Sequence, residues 1–262
     1  MKKKILNYTL ILAIVSLFTI VGYGQKTDTV IVDASKVNTK FLTPGTHRYL
    51  VYFKMGKDSS RTKYQLWSRT INFISYQDHD AISITQEWED NNSIVHTAYS
   101  VVKGNDFTTL YHKTWWKRPV SFTFDFVKKQ ASLDDVSLSI KTDSVNINRL
   151  SAFEKASSQY FLNWHLDLEV FSLLPYKTGA IFKINFYDPG FRPPSSELYS
   201  VIGSDTLTGY NNEQIDCWLL QHGSLPENQE VYWISKKTRE VLKLEQEFSG
   251  KFRYKIKLGF SD

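Results

Sequence analysis

The fold is indicated most clearly by residues 231–258, VYWISKKTREVLKLEQEFSGKFRYKIKL. Apolar and polar residues alternate along this stretch, and short polar breaks such as residues 249–250 interrupt it. Because successive side chains of a strand point to opposite faces, the alternation predicts strands with one buried and one solvent-facing side, joined by hairpins. In the last strand we expect the apolar residues to face the core and the basic residues Arg253, Lys255 and Lys257 to face the solvent.

The same period of two recurs through most of the chain after residue 29. Three further runs show it clearly: residues 82–88, 120–126 and 181–186. Polar breaks at residues 89–93 and 103–106 again predict hairpins. The pattern gives about ten candidate strands, and burial on one face favours antiparallel pairing. A sheet of this size is expected to curl, because strand twist accumulates and exposed edges must be covered.

One stretch, residues 151–174, departs from this period. Its large apolar residues recur at spacings of three and four, as on one face of a helix: Phe161, Trp164, Leu168 and Phe171. Ser151 and Glu154 have the spacing of a capping box, and Pro175 marks the end, with residues 157–158 as a point where the helix could break. The sequence therefore predicts a mainly β fold: a single curved antiparallel sheet, a half-open β-barrel of about ten strands, with one mid-chain helix across its concave side.

The first two dozen residues have the features of a signal peptide. Lys2, Lys3 and Lys4 precede the apolar run of residues 5–21, and the small residues Gly22 and Gly24 stand at the two positions that a signal peptidase reads before the expected cleavage site after Gly24. An uncleaved membrane anchor is the alternative, but the run is near the lower limit of a span and no basic cluster follows it. No cysteine stands just after the run, so a lipid anchor is not expected. We expect residues 25–262 to form a single β-rich domain in the periplasm or at the periphery of the outer membrane.

Charge and cysteine content restrict the possible partners. Removing residues 1–24 deletes three lysines and no acids, so the formal net charge falls from +5 to +2. A charge this small does not indicate a nucleic-acid partner. Cys217 is the only cysteine, so no intrachain disulfide can form and the core must hold the fold. Cys217 lies in a strand-like run, and we expect it to be a buried structural residue.

The last third of the chain also resembles a known family. Four segments carry the resemblance: residues 163–175, 198–201, 215–220 and 231–246. They are similar to the closing hairpins, and the helix before them, of the domain of unknown function 3108 (DUF3108) of bacterial cell-envelope proteins. In that family a strand containing W-I-S, here residues 233–235, turns through a short polar loop into a strand that ends in an apolar–basic–apolar run.

The resemblance covers about residues 160–258, whereas residues 29–150 match only in their pattern of strands. It implies a fold related to periplasmic lipoprotein carriers and receptors of the LolA and LolB type, whose half-open β-barrel holds acyl chains. It also singles out Asp167, because the family has an aspartate in this helix, which could cap it or bond backbone groups of a neighbouring strand. The resemblance constrains the fold much more than the function, since its motifs contain no catalytic group.

Motifs for catalysis or metal binding are missing from the sequence. It contains no G-x-S-x-G, H-E-x-x-H or P-loop pattern. Residues 78–80, Asp-His-Asp, are better explained as a solvated turn than as a metal site, because adjacent strand residues point to opposite faces. His165 and Glu169 have the spacing of an ordinary surface pair on a helix. We therefore predict a non-enzymatic protein without metal or cofactor, and keep an enzyme with scattered catalytic residues as the least favoured alternative.

The aromatic residues suggest a binding site. Trp115 and Trp116 must point to opposite sides of one strand, so one of them faces the solvent or a cavity. We predict a pocket for a hydrophobic ligand, a lipid or an acyl chain, in the curve of the sheet. Its candidate residues are Trp67, Trp88, Trp115, Trp116, Lys117, Arg118, Trp164 and Phe171. Lys113, Lys117 and Arg118 could meet a phosphate or carboxylate head group. A core with ordinary surface rings is the alternative.

Two functional classes follow from these observations. The first is a binding or carrier protein, expected to be a monomer, that takes up a hydrophobic small molecule or lipid. The second is a structural or protein-interaction module of the cell envelope, with Trp116 or the proline-rich residues 189–194 as the contact surface.

Overall fold

The structure, a computed structural model, describes residues 28–118, 120–139 and 143–260. The predicted signal peptide lies outside the described residues. Within them, strands dominate and two α-helices occur. The strands are β1 (Thr29–Val32), β2 (Gly45–Lys54), β3 (Arg61–Tyr76), β4 (His79–Asp90), β5 (Ser93–Lys103), β6 (Thr109–Trp116), β7 (Val120–Asp125), β8 (Gln130–Leu133), β9 (Val136–Ser137), β10 (Leu162–Asn163), β11 (Ile181–Asp188), β12 (Arg192–Thr208), β13 (Gln214–Ser224), β14 (Asn228–Ser235), β15 (Val241–Phe248) and β16 (Lys251–Lys257). The helices are α1 (Ser144–Ser157) and α2 (Asp167–Ser172), with 3-10 helices at Thr39–Phe41 and Trp164–Leu166.

All the described strands belong to one open, curved sheet. Its order is β1-β11-β12-β13-β14-β15-β16-β2-β3-β4-β5-β6-β7-β8-β9, with β10 beside β11. Neighbours are antiparallel except at β11, which pairs in parallel with β1 and with β10. The predicted number of about ten strands is wrong, since the described chain forms 16. Four of them, β1, β8, β9 and β10, have only two to four residues, too few for alternation to show.

The curve of the sheet encloses α2. Phe171 of this helix has no exposed surface. Its ring lies 4.9 Å from Tyr199 of β12 and 4.7 Å from Tyr232 of β14, measured between ring centroids. Apolar side chains from β2, β3, β4 and β15 complete the same core. The inside of the sheet around α2 is therefore filled by the protein's own side chains.

The predicted single helix over residues 151–174 is wrong in its bounds. The first helix begins at Ser144, because the side chain of Asp143 accepts hydrogen bonds from the N–H groups of Val145 and Asn146, each at 3.0 Å. Ser151 and Glu154 therefore lie inside α1 rather than at its start. After Ser157 the chain becomes extended, and the two residues of β10 pair with Phe186 and Tyr187 of β11 before α2 begins. Two helices replace the one expected.

Several turn and burial predictions are confirmed. Residues 91–92, 104–108 and 249–250 connect consecutive strands as hairpin turns. Gln77 and Asp78 form the turn between β3 and β4, with φ angles of 47° and 64°, and both side chains are exposed. Cys217 is fully buried and packs in a small apolar cluster with Ile215, Trp233 and Leu242. In the described residues no helix is long and apolar enough to cross a membrane.

The expected orientation of β16 is wrong. Lys255 and Lys257 are buried, with relative exposures of 4% and 8%, whereas Phe252 and Tyr254 are only half-buried. The reason is that carboxylates inside the fold pair with these basic side chains. Three ion pairs link the inner face of β16 to other elements: Arg253 with Glu230, Lys255 with Asp167, and Lys257 with Glu240. A buried charge is retained only when it is paired in this way.

One of these acids gives the fold a defined acid sensitivity. Burial by itself would raise the pKa of Glu240, but the hydrogen bond from His47 and the ammonium of Lys257 lower it from 4.5 in an unfolded chain to about 2. A carboxyl whose pKa is lower in the folded state stabilises the fold fully above its unfolded pKa, and this stabilisation is lost as the pH falls through the folded value.

We therefore expect Glu240→Gln to lower the free energy of unfolding by roughly 1–3 kcal/mol at pH 7. The deficit relative to the unchanged protein should shrink as the pH falls from 4.5 toward 2, because protonated Glu240 resembles glutamine. Urea unfolding of the variant and the unchanged protein at pH 7 and pH 3 measures this deficit in the free energy of unfolding. Glu245→Gln, which removes a carboxylate from a partly exposed pair with Lys243, should have little effect at either pH. A deficit that is equal at both pH values would contradict the assignment.

Candidate functional site

A buried ionic network joins the sheet to α2. Its centre is Arg69 of β3, which is almost completely buried. Arg69 Nε donates to Glu169 Oε1 at 2.8 Å, and Nη2 donates to Glu169 Oε2. Nη1 donates to Gln86 Oε1 at 3.0 Å, and Nη2 also bonds the carbonyl of His165 at 2.8 Å. The guanidinium is thus satisfied by β4, α2 and the turn before α2.

Asp167 extends this network to the last strand. Lys255 Nζ donates to Asp167 Oδ2 at 3.0 Å, and Arg69 Nη1 lies 3.6 Å from Asp167 Oδ1. Burial alone would raise the pKa of Asp167, but the charges of Lys255 and Arg69 hold it below its usual value. Burial lowers the pKa of Lys255, and the Asp167 carboxylate opposes that effect. The predicted surface pair of His165 with Glu169 is wrong, because both are buried and Glu169 pairs with Arg69.

An open cleft of about 380 Å³ lies beside this network, within the usual size range of small-molecule sites. Aromatic rings form much of its wall: Trp67, Trp88, Trp116, Trp164 and Phe191. Charged and polar groups form the rest: Arg69, His165, Asp167, Asp188, Arg192, Arg253 and Lys255. The four tryptophans come from β3, β4, β6 and the 3-10 helix before α2, so the curvature of the sheet brings them together.

The tryptophan wall is continuous. Trp67 and Trp88 occupy paired positions on β3 and β4, and their rings stack 3.8 Å apart at an interplanar angle of 5°. Trp116 meets Trp88 edge to face at 5.5 Å, and Phe191 meets Trp116 in the same way at 5.8 Å. The Lys255 ammonium lies 4.7 Å from the centre of the Trp67 ring. The wall therefore offers flat apolar faces next to a cation.

A second, shallower depression adjoins the cleft and shares Trp116 and Phe191 with it. Its volume is about 650 Å³. The other residues that line it are Val95, Lys117, Arg118 and Val120. We call it the apolar groove, because hydrocarbon surface dominates its lining and the two basic residues stand at its edge. Phe191 is 48% exposed between the groove and the cleft.

Most of the predicted site residues lie in these two depressions. Trp67, Trp88, Trp116 and Trp164 line the cleft, and Lys117 and Arg118 line the apolar groove. Two predicted residues lie elsewhere. Trp115 is 37% exposed on the opposite, outer face of β6, together with Lys113. Phe171 points from α2 into the core and lines neither the cleft nor the apolar groove.

Several residues of the cleft were not predicted from the sequence. Arg69 was not recognised although it occupies the same face of β3 as Trp67 and Ile71, and a charged residue on an apolar face is a signal that could have revealed it. Arg253 and Lys255 were assigned to the solvent. Phe191 and Arg192 fall within residues 189–194, which were predicted as a protein-contact surface and not as part of a ligand site.

Three histidines lie behind the cleft. The ring centroid of His165 lies 4.8 Å from that of His112 and 5.6 Å from that of His96. Burial lowers the pKa of His96 to about 3 and that of His112 well below its usual value, so both are neutral at pH 7. In the part of the chain that the structure describes, no three side chains are arranged to hold a metal ion. The His96 ring packs against Trp88 and Trp116, with centroid distances of 4.2 Å and 3.9 Å.

A family model supports the resemblance seen in the sequence. The model for the family described as "Protein of unknown function (DUF3108)" matches residues 48–257, most of the chain. This chain belongs to the DUF3108 family. The matched region extends from β2 to β16 and contains all the lining residues of the cleft and the apolar groove.

Two other comparisons add little beyond the family. No curated protein matches the chain. Among solved structures, the chain is similar to a β-barrel-like protein of domain of unknown function DUF1849 from Brucella abortus, with 7% sequence identity and a TM-score of 0.40. The similarity covers 84% of this chain and 100% of that one.

Proposed function

We propose that this DUF3108 protein is a non-enzymatic binding protein of the cell envelope that takes up a hydrophobic ligand, a lipid or an acyl compound. The observation that carries the proposal is the convergence of four tryptophans from four separate elements on one solvent-open cleft. Trp88, Trp116 and Trp164 are partly exposed, and Trp67 is buried. Partly exposed aromatic rings gathered around a concavity are an apolar surface that a monomer would otherwise bury. Burial of apolar area alone provides affinity, so no covalent chemistry is required.

The ligand is proposed to lie at the mouth of the curved sheet rather than inside it. The interior around α2 is filled by side chains such as Phe171, Phe182 and Tyr199, none of which is exposed. The cleft and the apolar groove together offer an aromatic wall continued by Val95 and Val120. In this proposal the acyl chain of the ligand lies in the apolar groove, and the opposite end of the ligand lies in the cleft.

The proposal is tested by changing one aromatic residue on each face of β6. Trp116 lines both depressions, whereas its neighbour Trp115 points away from them. We expect Trp116→Ala to weaken binding of a hydrophobic fluorescent dye by about tenfold, since removing a large ring from a binding site costs on the order of 1–3 kcal/mol. Trp115→Ala should leave the dye affinity within about twofold of the unchanged protein.

A second variant separates binding from folding. Because Trp116 packs on Trp88 and His96, its removal also affects stability. Phe191→Ala changes a half-exposed ring in the same site, and although this ring contacts Trp116 and Phe122, it should lower the unfolding temperature less than Trp116→Ala while still weakening dye binding. Equal dye affinity in the Trp115 and Trp116 variants, or an unchanged affinity in the Phe191 variant, would argue against the proposed site and favour a protein-interaction surface.

A further inference from the structure

The basic residues of the cleft differ in how far their hydrogen bonds are satisfied. Arg69 and Lys255 hold α2, with Glu169 and Asp167 as their partners. Arg253 has no such bond among the described residues. Its nearest acid is Glu230, whose Oε1 lies 3.6 Å from Arg253 Nη2, beyond the usual length of an N–H···O bond. Arg253 Nε is buried, and no hydrogen-bond partner for it occurs in the part of the chain that the structure describes.

Glu230 is fixed in place behind this arginine. Its Oε2 accepts a hydrogen bond from the Tyr232 hydroxyl at 2.9 Å, and the residue is almost fully buried. Glu230 therefore compensates the charge of Arg253 without satisfying its donors. The Arg253 side chain, 25% exposed, lines the cleft. A guanidinium that is mostly desolvated and lacks acceptors gains strongly from any acceptor that a ligand supplies.

A second guanidinium, that of Arg192 of β12, also lines the cleft. Its Nε lies 4.0 Å from Asp188 Oδ2, again an ion pair without a hydrogen bond. Its side chain is 74% exposed at the rim. With Glu230 and Asp188 close by, the cleft has little excess positive charge. Selection of a ligand therefore depends on the N–H donors of the two arginines, whose planar forks match carboxylate and phosphate oxygens.

We infer that Arg253, assisted by Arg192, binds the carboxylate or phosphate group of an amphipathic ligand whose apolar part lies on the tryptophan wall. This inference rests on the proposed function, and it replaces Lys117 and Arg118 as the expected partners of a head group. The half-buried Trp88, Trp116 and Trp164 line the same cleft as Arg253, so an acidic group at Arg253 and an apolar group on these rings are accommodated together.

The test compares ligands with one tail and different heads. Binding of dodecanoate, dodecyl phosphate, dodecanol and inorganic phosphate to the mature chain is measured by calorimetry. We expect the two dodecyl anions to bind at least about tenfold more tightly than dodecanol, the gain of a charge-assisted hydrogen bond. Arg253→Gln should remove that preference and leave dodecanol affinity within about twofold.

Two further variants serve as controls. Arg48→Gln removes an exposed arginine from β2, the strand beside β16, and should leave every affinity unchanged. Arg253→Lys keeps the charge but loses the planar fork, and should give an intermediate preference for the anions. Thermal unfolding of each variant establishes that it is folded at the temperature of the binding experiment.

The outcomes separate the inference from the proposed function. Equal binding of dodecanol and the dodecyl anions by the unchanged protein would overturn the inference and leave the proposed function intact. Failure of all dodecyl compounds to bind would remove the proposed function. In that case, binding of inorganic phosphate that Arg253→Gln abolishes would still support the arginine as a site for a free anion. Loss of anion preference in Arg48→Gln would also count against Arg253.

Discussion

Replacing Arg69 by methionine is expected to lower the free energy of unfolding by about 3–5 kcal/mol, the usual cost of breaking a buried ion pair by removing one partner. Methionine fills a similar volume but leaves the Glu169 carboxylate buried without its partner, and it removes the bonds to Gln86 and to the His165 carbonyl. These bonds hold α2 against β3 and β4. Urea unfolding at pH 7 measures the loss.

A double substitution tests whether the loss of stability comes from the Glu169 carboxylate that is left without its partner. Removing both charges, with Arg69→Met and Glu169→Gln together, should recover part of the loss, because a buried pair replaced as a whole leaves no uncompensated charge. Arg48→Met, on the exposed side of β2, should change stability by less than about 0.5 kcal/mol. If Arg69→Met cost no more than the Arg48 control, the network would not be what fixes α2.

Replacing Phe171 by alanine is expected to destabilise the protein by about 3–5 kcal/mol as well, for a different reason. Its ring is completely buried and contacts Tyr199, Tyr232 and Phe186, so its removal leaves a cavity that these aromatic residues cannot fill. Phe171→Leu should cost less, because most of the apolar volume remains. Denaturant unfolding of both variants measures the two effects.

The same substitution distinguishes the core from the ligand site. Since Phe171 does not line the cleft or the apolar groove, the dye affinity of folded Phe171→Leu should equal that of the unchanged protein. A large loss of dye binding with little loss of stability would reverse the assignment and return Phe171 to the ligand site, as the sequence analysis first predicted.

The alternation of residues predicted strands reliably but not always which of their faces is buried. On β7 and β11 one face is purely apolar, and Phe122, Phe124, Phe182 and Ile184 are buried as expected. On β16 both faces carry long side chains. The face of β16 that carries Lys255 is buried because Lys255 pairs with Asp167. Asp167 lies nearly ninety residues earlier in the chain, and its position beside Lys255 depends on the complete fold.

The candidate site was also predicted only in part, because the sequence does not reveal which face of a strand lies inside the fold. Period two placed Trp115 and Trp116 on opposite faces of one strand, but only the curvature of the sheet decides that Trp116 is inside. Phe171 matched a helical period that residues 161–171 do not follow, because Leu162 and Asn163 pair with β11. The role of Arg253 could not be predicted from the sequence, since it depends on the distance between Arg253 and Glu230 in the fold.

The central claim, that the tryptophan-walled cleft holds a hydrophobic ligand, is tested most directly by native mass spectrometry of the mature chain purified from cells without detergent. We predict a discrete bound species of a few hundred daltons, extractable into organic solvent and absent from the Trp116→Ala variant. A spectrum that shows the bare polypeptide alone, from protein that also fails to bind added dodecanoate and the hydrophobic dye, would contradict it.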